Sequence, residues 1–175
     1  MSEAGVLFWG VVAVLAFWSV GAYNRLVRLR GALARRFAPV HEQLEARTAL
    51  LLTLIEALEP QGLAPERELQ ALRAARTQAD TAGSAARQTP AAAGAVNSLR
   101  VALLIVAQAR ERVAAYAGTS PELAALHAQI AACDSALQFA QRRFNEAVLD
   151  YNAAVRQFPA RLLAAMMGFR SAGAL

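Results

Sequence analysis

The residues with the most chemical potential are His41-Glu42-x-x-Glu45. On a helix they begin the His-Glu-x-x-His arrangement that holds zinc, but position 45 is Glu. Zinc needs three protein ligands, and His127 is the only other imidazole in the chain. His41 is therefore read as lying on a solvated helix face. Glu42, Glu45, Glu56, Glu59, Glu66 and Glu68 read as surface charges beside arginines, because an acid/base pair needs a cleft that perturbs its pKa values. The chain carries no Ser-His-Asp set, no Gly-rich phosphate loop and no nucleophile elbow. Cys133 is the only cysteine, which excludes a disulfide framework and a cysteine-based zinc site. Its place on an apolar helical row makes it an inert core thiol. No catalytic, cofactor-binding or metal residue is assigned. The chain is read as a non-enzyme with no cofactor, and no small-molecule substrate is identified.

The basic residues carry more signal. All 18 are arginines. Arg25, Arg28, Arg35 and Arg36 fall within about 100° of one another on a helical wheel. Beside a bilayer, that face would meet anionic headgroups at about 1 kcal/mol per charge, or would only set membrane topology. Nucleic acid is not an expected partner, since the charge is spread out and no recognition motif is present.

These side chains must be positioned by 175 residues that are 57% apolar, about a quarter Ala, with a mean hydropathy of +0.31 and a net charge of +5. That suits one helical domain plus a little more. Residues 4–23, after the short segment 1–3, contain no charge. Twenty helical residues span about 30 Å, the thickness of a bilayer core. Arginines follow at once, which places the N-terminus outside and the remainder in the cytoplasm. A cleaved signal peptide ending near Val20-Gly21-Ala22 is the competing reading, but it would need a basic leader that Met1–Ala4 lacks.

Helical periodicity predicts helices over about 24–58, 66–82, 91–117 and 121–158, then a tail over 159–175. Pro39 should kink the first or delay its restart. Pro60 to Pro65, Gly83 to Pro90 and Gly118 mark the loops. Leu123, Ile130, Leu137, Phe144, Tyr151 and Phe158 recur every seven residues, with Leu126, Cys133, Ala140, Ala147 and Ala154 three places later, a seam of five heptads. Short loops imply an all-α, up-down antiparallel four-helix bundle after the membrane helix; a long coiled-coil homodimer is the alternative. The topology brings the end of the fourth helix and the tail beside the membrane, near Tyr23 and Asn24.

The assembled residues resemble the LemA family. The pattern consists of a membrane helix, then Tyr23-Asn24-Arg25-Leu26-Val27-Arg28-Leu29-Arg30, and later Phe144-Asn145, Ala147-Val148, Tyr151-Asn152, Phe158-Pro159 and Gly168-Phe169. The chain departs from the family in its first long helix, where Val40-His41 replaces an Ile-Asp pair and a basic cluster with its Asp, Pro and Asn is missing. Its tail is also shorter. The resemblance implies a single-pass protein of the bacterial inner membrane and supplies no activity. Asn is a poor residue for a helix interior, so the aromatic-Asn pairs are expected either to fix register across helices or to form a docking surface for a protein partner. The candidate surface comprises Tyr23, Asn24, Phe144, Asn145, Tyr151, Asn152, Phe158, Pro159, Gly168 and Phe169. The function expected is a membrane-anchored interaction module that docks a membrane or envelope partner. The alternative is lipid sensing or remodelling through the Arg face and the apolar stretch Leu162–Phe169.

Overall fold

The computed structural model describes residues 3–62, 64–116 and 120–175, all in helices, turns and one extended tail. The helices are α1 (Glu3–Leu58), α2 (Glu66–Gln88), α3 (Ala93–Ala114), α4 (Pro121–Arg156) and α5 (Ala160–Met166). Ala, Leu and Arg dominate them, and these residues cost least to hold in a helix.

α1 runs 56 residues without a break. Pro39 lies inside it, so of the kink or delayed restart expected there, the restart does not occur. Phe37 and Val40, on either side of Pro39, are fully buried, and that packing holds the helix through the missing hydrogen bond. Gly62, at φ 60°, turns the chain after Pro60. Arg73 clamps this corner, with Nη2 2.6 Å from Glu59 and Nη1 3.5 Å from Glu66.

α2 continues six residues past its expected end, through Gly83. A Cβ at Gly83 would stand 3.4 Å from Leu44 Cδ1, so the small residue lets α2 lie close against α1. Ala86 beyond it is fully buried. Tertiary packing here outweighs the roughly 1 kcal/mol that Gly costs a helix. α3 stops at Ala114, before the expected end at Ala117, and Ala115 and Tyr116 form a turn; Ala117 and Gly118 lie outside the described residues. α4 opens with Pro121 at its first turn and stops at Arg156, before the Phe158-Pro159 pair. Phe158 leaves the seam and is 73% exposed.

α1 packs against α4 and α2, and α2 packs against α3. Among the described residues, α3 and α4 make no close backbone approach and leave an open groove between them. The core follows the heptads. Leu123, Ile130, Leu137, Phe144 and Tyr151 are buried along α4. On α1, the buried residues Leu33, Phe37, Val40, Leu44, Arg47, Leu51, Leu54 and Leu58 alternate steps of four and three. Arg47 therefore occupies a core position and is only 6% exposed. Two apolar clusters meet at its level, one ending at Leu44 and Leu137, the other beginning at Leu51 and Ile130.

His41 is buried too, at 7% exposed, which corrects the expectation of a solvated face. It sits one turn past Phe37 on the packed side of α1. Its Nε2 lies 3.1 Å from Glu45 Oε1 along the helix.

Candidate functional site where α1 leaves the bundle

The sequence-predicted residues converge where α1 leaves the bundle. Arg25 Nη1 donates to Gln157 Oε1 at 3.2 Å, joining the start of the packed part of α1 to the end of α4. The Tyr23 and Phe169 rings meet edge to face at 6.0 Å. The return of the tail to Tyr23 is thus as the topology predicts.

The two asparagines hold that tail. Asn152 Nδ2 donates to the Ala172 carbonyl at 3.0 Å, and its Oδ1 accepts the Ala172 N–H at 2.8 Å. Asn145 does the same with Leu175, at 2.8 and 2.9 Å. Each side-chain amide imitates a backbone peptide and pairs with one residue of an extended strand. The register follows from geometry. Seven helical residues advance about 10.5 Å, and three extended residues cover roughly 10–11 Å. The chain reaches this register by a turn at Gly168, whose φ of 73° suits glycine. Phe169 N–H donates to Ala164 O across that turn, closing α5 as in a Schellman end. At Gly173 a Cβ would lie 3.0 Å from Ala93 Cα, so the tail also lies flat against the start of α3.

The candidate surface divides accordingly. Phe144 and Tyr151 are core residues, with Phe144 edge to face against Phe37 at 5.3 Å. Phe169 is buried by the turn, and Asn145 and Asn152 are occupied by the tail. Tyr23, Asn24, Phe158, Pro159 and Gly168 remain exposed. Leu162, Met166 and Met167 join them as exposed apolar groups. Residues 4–41 and 151–175 contribute eight arginines and no side-chain carboxylate, so this end is strongly basic. Arg28, Arg35 and Arg36 are exposed.

Sequence reasoning missed a second constellation. Arg47 Nε lies 2.7 Å from Asp134 Oδ1, and Arg110 Nη1 takes the other oxygen, Oδ2. This Arg-Asp-Arg bridge ties α1, α4 and α3 together at the floor of the open groove, a space of about 460 Å³. Arg47 carried a signal, since it falls on the alternating steps of the α1 seam.

Burial pushes the Tyr151 hydroxyl above its ordinary range, against a smaller pull from Arg30. Burial, and then Asp134, push the Cys133 thiol up, against Arg47. Both groups hold their protons more tightly folded than unfolded, so stability is full below the unfolded values and falls as pH rises beyond them. Unfolding measured from pH 7 to 11 should show a loss beginning near pH ~8.5 and steepening above ~10. Cys133→Ala should remove the first part and Tyr151→Phe the second.

Fold and site define an all-α bundle protein whose first helix extends into an apolar, solvent-facing segment long enough to cross a membrane. The chain belongs to the LemA family, whose sequence profile matches residues 36–175. The match takes in both asparagines and the tail they hold, while the Tyr23–Arg30 block lies before it. No curated protein and no solved structure matches the chain.

Proposed function

We propose that this protein is a non-enzymatic scaffold, anchored in the bacterial inner membrane by residues 4–23, with its N-terminus outside and its bundle in the cytoplasm. It docks a membrane-embedded or envelope protein through the anchor end of the bundle. The observation that carries this reading is the continuity of α1, which passes from an exposed apolar stretch into the bundle core as one helix. Such a stalk holds the bundle at a fixed distance from the bilayer. The exposed apolar groups at its foot, Phe158, Leu162, Met166 and Met167, meet the partner where it emerges from the membrane.

The same exposed groups, close in sequence to Arg156, Arg161 and Arg170, favour one other reading: α5 rests in the lipid interface and senses its charge. Phe158→Ser with Leu162→Ser and Met166→Ser decides between them. Crosslinking in intact membranes should lose one discrete protein adduct in this variant, with helicity retained. Unchanged protein adducts, together with reduced crosslinking to photoreactive lipid, would favour the lipid reading.

A further inference from the structure

A cavity of about 330 Å³ lies beside the tail at the anchor end, near the small limit of the ~300–1,000 Å³ range of ligand pockets. Its lining is not explained by docking or anchoring. Arg30 enters from α1 and Arg170 from the tail, and no carboxylate lines the space. Neither guanidinium has an ion-pair partner among the described residues. Both arginines are solvent-exposed and so open to a ligand, and an anion between them pairs with both.

Two neutral features point the same way. Tyr151 also lines the cavity; the residue is only 1% exposed, and its hydroxyl makes no hydrogen bond among the described residues. The cavity further touches Ala92, the cap residue of α3. That residue offers no side-chain acceptor, and the first turn of α3 holds no acid. The cavity thus lies beside the positive end of a 22-residue helix, whose dipole favours an anion there.

The latch assembles the site. Arg170 is two residues from Ala172, which Asn152 fixes on both its N–H and its carbonyl. A single carboxylate would be satisfied by one guanidinium. Donors on α1, the tail and α4 around one cavity suit a group with oxygens in several directions, and guanidinium pairs bidentately with phosphate.

We propose that Arg30, Arg170 and Tyr151, with the N-terminus of α3, bind a phosphate group. It comes either from an anionic phospholipid headgroup at the membrane surface or from free phosphate. Only the lipid source rests on the anchor reading; a chain that binds phosphate in micelles yet is not held by a membrane would fail that reading alone.

The test uses the full-length chain in neutral detergent micelles, titrated calorimetrically with inorganic phosphate and, separately, with short-chain phosphatidylglycerol. Saturable binding of either supports the site: phosphate binding identifies the free anion as sufficient, and lipid binding alone identifies the headgroup. Arg30→Gln with Arg170→Gln should weaken that binding by about tenfold or more, as expected for the loss of charge-assisted pairs. Arg100→Gln with Arg142→Gln removes the same charge elsewhere and should leave affinity within about twofold. Tyr151→Phe keeps the buried ring and should weaken binding without unfolding. No saturable binding of either probe, or equal loss in the two double variants, would overturn the proposal.

Discussion

Asp134→Ala should destabilise the bundle by about 3–5 kcal/mol, because it leaves a buried arginine without its counter-charge. Arg47 is the residue stranded. It occupies a core position between Leu44 and Leu51, and its Nε lies 2.7 Å from Asp134. Arg110 faces the open groove and can turn to water, so it adds little to the loss. For a domain of this size the melting temperature should fall by roughly 6–20 °C. The complementary variant should behave in the opposite sense. Arg47→Leu leaves Asp134 paired to Arg110 and places an apolar side chain in an apolar seam. Its stability should lie within about 1 kcal/mol of the parent or above it. Thermal unfolding of the detergent-solubilised chain, followed by far-ultraviolet circular dichroism, reads both. An Arg47→Leu loss as large as that of Asp134→Ala would mean that the bridge is stabilising in itself, contrary to this account.

Asn145→Ala with Asn152→Ala should release the tail while the bundle stays folded. Four hydrogen bonds are lost, each worth about 0.5–1.5 kcal/mol net. Burial of Phe169 and Ala172 goes with them. A closing free energy lowered by about 2–6 kcal/mol corresponds to a roughly 30- to 25,000-fold rise in the open population. Hydrogen exchange at the Ala172 and Leu175 amides should accelerate by that factor, and limited proteolysis should cut after Arg170. Amides in the middle of α4 near Ile130 should be unaffected, since the change is local. Acceleration along the whole of α4 would indicate that the asparagines hold the bundle together rather than the tail.

The helical bundle was legible because heptad spacing is a direct record of burial. Leu123 to Tyr151 on α4 could be placed in the core from spacing alone. The end of α2 was not legible. Gly83 looks like a loop signal until Leu44 is known to pack against it, and that contact joins residues 39 positions apart in the chain. His41 failed for a similar reason: a polar side chain adjacent to the apolar row was read by its chemistry and not by its angle on the helix. The asparagines were visible as anomalies at a seven-residue interval. Their partner was not, because the backbone groups of Ala172 and Leu175 leave no mark on sequence. Arg110 and Asp134 meet across α3 and α4, and only the assembled bundle brings them together.

The central claim is that residues 4–23 are a retained anchor with the bundle on its arginine-rich side. The direct measurement labels a single thiol, Gln61→Cys in a Cys133→Ala background, with a membrane-impermeant maleimide in cells expressing the full chain. Gln61 is exposed on the turn after α1, at the end of the bundle away from residues 4–23. The account predicts an intact mass that includes residues 1–23 and labelling only after the membrane is opened. A shortened, freely soluble chain lacking the first ~22 residues, as signal cleavage would leave it, or labelling in unbroken cells, would contradict it.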